Sequence, residues 1–199
     1  MSMRPFALLL IALIAVALVG CGNPRHVVAA ARVDAPPPGK ALINFVYDYG
    51  TVKDQAIFNE KKELLFLDAP RTVHQVAVAP GDHDFFIMSP VGGLFNITGI
   101  DSMLRIHAAA GRIYDANLDV TFTNYTFARP AHPGTKHHAD ILKLIASLQP
   151  VGPLDRSIPD ISQREQAYGP LIEKTMKALR DHPETKPELE MQSGDSRVP

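Results

Sequence analysis

The chain has 199 residues, 46% hydrophobic and 21% charged, with 20 Lys and Arg against 21 Asp and Glu for a formal net charge of −1. That balance, with basic residues scattered rather than clustered, leaves no electrostatic footprint for nucleic acid and little steering toward polyanions. A single cysteine excludes a disulfide within the chain, and the absence of tryptophan with only 7% aromatic content argues against a sugar-stacking groove.

One basic residue, Arg4, precedes an apolar run from Phe6 to Val19 that carries no charge. The run is shorter than the roughly 20 residues a membrane-spanning helix needs, and a small residue and a break follow it, so residues 1–20 read as a cleavable export signal. The lone cysteine stands at its end. Leu18, Val19, Gly20 and Cys21 resemble the lipobox of bacterial lipoproteins. The resemblance implies that the Cys21 thiol is alkylated by diacylglyceryl, that the bond between Gly20 and Cys21 is cut, and that Cys21 becomes the first mature residue. One acyl chain binds a membrane only marginally, whereas two or more anchor it stably. Gly22 rather than an aspartate follows the cysteine, which by the same resemblance favours the outer membrane, with the domain facing the periplasm.

Residues 21–39 are expected to form a lipidated N-terminus and tether. From Asn23 to Lys40, ending in "DAPPPGK", proline and glycine stand where a regular element would need backbone donors, with semi-rigid polyproline character at Pro36 to Pro38. Fully extended, this stretch reaches about 60 Å at most.

Residues 40–128 carry short apolar segments separated by turn residues, the signature of an all-β sandwich or barrel. The expected strands are "ALINFVY", "QAIFN", "ELLFL", "VHQVAVA", "HDFFIM", "LFNIT", "MLRIHA" and "IYDANLDVTF". In the last, Tyr114, Ala116, Leu118, Val120 and Phe122 share one face, while Asp115, Asn117, Asp119 and Thr121 share the other, which is expected to meet water. "APGDH", Ala79 to His83, fits a tight turn with Gly81 free to take positive φ, and is expected to close a hairpin between "VHQVAVA" and "HDFFIM". Gly111 is expected to turn the chain into the final strand in the same way.

"GKALINFVYDY", then "VAPGDHDFFI", then "HAAAGRIYDANLDV" resemble a family of small Gram-negative lipoproteins of unknown function, whose domain is similar to PEGA-type and prealbumin-like β-sandwiches. The matching positions are Ala41 to Tyr47, then Pro80, Gly81 and His83, then Ala110, Gly111 and Tyr114, within residues 39 to 122. Asp48 stands where the family often has an arginine after its first strand aromatic, so no role of that arginine transfers. The resemblance implies an envelope location and a mainly β, Ig-like or prealbumin-like antiparallel sandwich. It implies no reaction.

Residues 129–183 change character. "HADILKLIASL" places Ile141, Leu144, Ile145 and Leu148 at helical spacing, and "DISQREQAYGPLIEKTMKALRDH" does so with Ile161, Tyr168, Leu171, Ile172, Thr175 and Leu179. Ser162 with Glu165 fits a capping box, with Asp160 competing for the N-cap. Gly169 and Pro170 are expected to kink or divide the second helix. Such apolar stripes ordinarily pack on their own domain; the sharper expectation is docking onto an envelope protein partner. Residues 184–199, polar and proline-containing, are expected to be disordered.

Several constellations suggest chemistry. His132, His137 and His138 lie near Asp140, and imidazoles with a carboxylate can bind zinc, but the spacing is not a recognised ligand spacing. Asp82 and Asp84 flank His83, yet strand alternation puts the carboxylates on the face opposite the imidazole. Asp115, Asn117 and Asp119 are about 6.8 Å apart along a strand and cannot share a calcium ion without other loops. There is no Gly-x-Ser-x-Gly, and "GPLIEKTMK" has too little glycine for a phosphate loop. Asn96-Ile97-Thr98 and Asn124-Tyr125-Thr126 match the glycosylation sequon, which a bacterial lipoprotein would not ordinarily use. No catalytic, cofactor or metal residue is therefore assigned, and Cys21 and Gly20 are the site residues, for lipidation and cleavage. The chain reads as a noncatalytic, lipid-anchored envelope protein that binds a protein partner, with a peptidoglycan- or glycan-binding module as the alternative.

Overall fold

The computed structural model describes residues 28–48, 55–67, 71–88, 100–120, 126–182 and 189–199. Gly20, Cys21, the segment "LFNIT", Asn96 and Asn124 lie outside them. The described strands are β1 (Ala41–Tyr47), β2 (Ala56–Asn59), β3 (Leu64–Leu67), β4 (Thr72–Val78), β5 (Gly81–Met88), β6 (Ser102–Ala108), β7 (Ile113–Val120), β8 (Thr126–Pro130), β9 (Gln149–Val151) and β10 (Leu189–Met191). Helix α1 spans Lys136–Ser147 and α2 spans Pro159–Asp181. The strands form two five-stranded sheets, ordered β8-β7-β1-β4-β9 and β10-β6-β5-β2-β3. The chain is thus a mainly β domain with a C-terminal helical region.

Strand β1 explains the arrangement. All seven of its residues are buried, so both of its faces must be covered, which a near-continuous apolar run demands. Its Ile43, Phe45 and Tyr47 face the second sheet and pack with Ile57, Phe85, Ile87, Leu104 and Ile106. The Phe45 and Phe85 rings meet edge to face at 5.2 Å. Its Val46 faces the other way and joins Val73, Ala131, Ile141, Ile145 and Leu148 under α1. The second sheet is covered likewise: Ile161, Tyr168 and Ile172 of α2 close over Phe58, Phe86, Met88 and Met103, with the Phe58 and Tyr168 rings 5.3 Å apart. The layers run helix, sheet, sheet, helix, and both apolar helix stripes are spent on the domain itself.

Several expectations need correction. The sheets are mixed rather than antiparallel, because β1 pairs parallel with β7, β4 with β9, and β10 with β6. Each of these pairs joins strands distant in sequence, so no hairpin dictates their polarity. The Pro80-Gly81 turn closes no hairpin: β4 pairs with β1 and β9 in one sheet, β5 with β6 and β2 in the other. A tight reversal with Gly81 at φ +128° sets the direction of the chain but not its hydrogen-bond partner, and here it carries the chain across the core. The Gly111 turn, at φ +72°, crosses between the sheets in the same manner.

Helix α2 runs undivided through Gly169 and Pro170, held on either side by Tyr168 and Ile172 in the core. It starts earlier than the proposed capping box, with Ile158 as N-cap and Pro159 in the first turn. Ser162 instead donates to the Pro159 carbonyl, and Glu165 accepts from the Leu64 amide.

Both ends of the domain are more ordered than composition indicates. Residues 28–33, expected in the tether, run beside β9: the Ala30 amide donates to the Pro150 carbonyl at 3.1 Å, and the Gly152 amide to the Val28 carbonyl at 2.8 Å. Residues 189–199, expected to be disordered, contribute β10 to one sheet and an Arg197 bridge to Ile113 of β7 in the other. Met191 is fully buried there. The pairing partners, invisible to local composition, supply the order.

Ile172 carries the coverage of the second sheet, so Ile172→Ala is expected to lower unfolding free energy by about 3 kcal/mol in urea denaturation. Deleting residues 160–182 uncovers Phe58, Phe86 and Met88 and is expected to abolish the cooperative transition altogether.

Candidate functional site

The polar side chains concentrate on the α1-covered face of the first sheet. In register across three strands stand Gln75 of β4, Asn44 of β1 and Asp115 of β7. Gln75 Nε2 donates to Asn44 Oδ1 at 3.0 Å, and Asn44 Nδ2 donates to Asp115 Oδ1 at 2.6 Å. The row continues at both ends. Gln75 exchanges hydrogen bonds with the backbone of Val33, 2.8 Å each, while Asp115 Oδ2 accepts from Arg197 Nε at 2.7 Å and from His138 Nε2 at 3.3 Å. Asn44 and Asp115 are each 1% exposed. The face expected to be wet is therefore closed by α1 and the C-terminal segment. Strand alternation placed Asp115, Asn117 and Asp119 together correctly; burial depends on what folds over them.

The histidines of the β8–α1 region diverge. Thr135 caps α1, its hydroxyl accepting from the His138 amide, and this start aims His138 at Asp115. His132 Nδ1 turns instead to Asp195 at 2.7 Å. His137 lies near Asp119 and Arg129; desolvation pushes its imidazole below the ordinary value, as it pushes the Asp119 carboxyl up. Asn117 donates to Asp119. Asp140, exposed on the helix, is held low by the Lys143 ammonium 3.0 Å away. Among the described residues, no three His, Cys, Asp or Glu side chains gather where one metal ion could take them.

A second polar group lies on the outer face of the second sheet, beyond the reach of α2. Asp84 takes a bidentate contact from Arg105, at 2.6 and 2.7 Å. His107 stands between two carboxylates, with Nδ1 2.6 Å from Asp82 and Nε2 bonded to Glu190. The Glu190 hydrogen bond, first, and the Asp82 contact raise its pKa against a desolvation that lowers it. As alternation requires, His83 points to the opposite face, where Nε2 lies 2.8 Å from the Ala79 carbonyl.

Sequence reasoning singled out the carboxylates and the histidines but not Asn44, Gln75, His107, Glu190 or Arg197. One signal was available: Asn44 interrupts the otherwise apolar "ALINFVY" strand, and a polar group inside a fully buried strand requires a partner. Chemically, the row ties six pieces of chain together, the Val33 segment, β4, β1, β7, α1 and the C-terminal segment, and leaves its oxygens and nitrogens engaged with one another.

His74 has a different character. It faces the core with Nε2 3.2 Å from Thr72 Oγ1, its ring 4.2 Å from Phe66, and Nδ1 unpartnered. Burial pushes its pKa down to about 3. The unfolded chain takes up a proton below about 6.5 where the fold does not, so stability falls as pH drops from about 6.5 toward 3. His74→Leu is expected to shrink the difference between urea-derived stabilities at pH 7 and pH 5 by about 2 kcal/mol. Removing the buried acid by Asp115→Ala, which strands Arg197 and Asn44, is expected to cost about 3 kcal/mol at pH 7 in the same assay. Comparison with known proteins adds no assignment to this geometry: no family model matches the chain, and no curated protein matches it.

Proposed function

We propose that the chain is a lipid-anchored, noncatalytic module of a bacterial envelope, held at the outer membrane on the periplasmic side, that binds an envelope protein partner. The observation that carries this reading is the "LVGC" stretch, Leu18 to Cys21, at the end of an uncharged apolar run. Glycine on both sides of Cys21 supplies the small neighbours that acylation and cleavage at that residue need. The same reading takes the two face-to-face sheets as an Ig-like or prealbumin-like sandwich, enlarged by a helix on each outer face.

What supports a binding rather than a catalytic role is how the chemically capable groups are used. His107, His132, His138, Asp115 and Glu190 each join one element of the fold to another. Because the apolar stripes of α1 and α2 are buried on the sheets, a partner approaching the helices meets their polar faces.

The anchor also sets a distance. Val28 and Ala30 already pair beside β9, and the seven residues 21–27 can span about 25 Å at most. On this reading the domain is held nearer the lipid than a free tether to Lys40 would allow.

Intact-mass analysis of the protein from its native host is expected to show residues 1–20 removed and Cys21 acylated, with the protein in the membrane fraction. Cys21→Ser is expected to abolish the acyl mass increment and to leave the leader uncut. An unmodified thiol on an uncut chain would overturn the anchor. Crosslinked pull-down of the native lipoprotein is expected to return one reproducible protein partner, whereas retention on purified peptidoglycan without protein would overturn the partner reading.

A further inference from the structure

The segment Leu189–Pro199 crosses from one sheet to the other. Its β10 end adds to the β6 edge by three parallel register pairs, Leu189 with Leu104, Glu190 with Arg105 and Met191 with Ile106. Its far end bridges to β7, where Arg197 and Ile113 exchange backbone hydrogen bonds of 2.9 Å. The two ends are secured by different chemistry. Arg197, a cation at every physiological pH, sits on the buried Asp115. Glu190 and Asp195 are instead held by imidazoles of the body, His107 and His132.

We propose that this segment is a strap with a fixed pin at Arg197 and a pH-released end: loss of the His107 proton lets Leu189–Met191 lift from the β6 edge while Arg197 stays on Asp115. The groups that face His107 set the direction. His107 is faced by Asp82 from β5 and Glu190 from β10, with the Asp84–Arg105 pair beside them and Gln192 donating to Glu190. His107 thus has a carboxylate against each ring nitrogen, and a protonated imidazole is the form those carboxylates favour. The raised pKa of His107 agrees, so its contribution is full below about 6.5 and is lost as pH climbs through the raised value. Met191, buried under the strap, is the apolar contact that lifting gives up.

The test is amide exchange on the full chain, read by NMR and corrected for the intrinsic pH dependence of exchange. Protection of the Leu189–Met191 strand is expected to fall at least tenfold between pH 6 and pH 8.5, while protection of β1, β7 and the Arg197 amide holds. The His107→Gln chain is expected to show low strap protection at both pH values, as is Glu190→Gln, which alters the strap instead of the body. Strap protection that ignores pH, or that falls only together with β1, overturns the proposal. So does a pH response that survives in the His107→Gln variant. The first two outcomes are read on the unaltered chain and do not depend on the variants folding.

Discussion

The hydrogen-bonded row Gln75–Asn44–Asp115 is the constraint around which the rest of this fold is arranged. It lies in register across β4, β1 and β7, on a face that α1 must cover because Val46 and Val73 beside it are apolar. Covering that face takes Asp115 out of water, and a buried carboxylate is tolerable only with partners. Asn44, His138 and Arg197 are those partners, drawn from a central strand, a helix and the C-terminal segment. One desolvated charge therefore couples the placement of α1 to the order of residues 189–199.

The same economy recurs at the other end of the row. Gln75 holds the backbone of Val33, and Val28 and Ala30 pair beside β9, so the chain entering the domain is fastened before β1 begins. The two ends of the described domain are tied to opposite ends of one side-chain ladder.

Helices on both outer faces change what the domain can offer a partner. A bare sandwich exposes a sheet face; here Ile141 and Ile145 fill one, and Tyr168 and Ile172 the other. Among the described residues, the outward surfaces of α1 and α2 and the Asp82, Asp84, Arg105, His107 and Glu190 group on the second sheet are polar, with Val28, Val33 and Val198 the exposed large hydrophobics. Contacts made through such surfaces depend on charge and on hydrogen bonds, and are correspondingly sensitive to salt and pH.

Periodicity made the strands and helices legible. The alternation in "IYDANLDV" put Tyr114, Ala116 and Leu118 on one face, and helical spacing marked Ile141, Ile145, Ile161, Tyr168 and Ile172 as the buried stripes. These are local properties, set by the direction each Cβ takes from its own backbone. Which strand pairs with which was not legible, because the Pro80-Gly81 and Gly111 turns are compatible with either a hairpin or a crossing between sheets. Nor was the burial of Asp115 and Asn117, or the order of Met191 and Arg197. Those depend on groups more than 70 residues away in the chain, as in the Asn44–Asp115 and Asp115–Arg197 contacts. The sequence by itself determined β1 to β7, the two helices and their inward faces, but not the short strands β8, β9 and β10. The tertiary structure alone decided which polar face would be covered, because only packing brings a distant helix and a distant arginine to the same carboxylate.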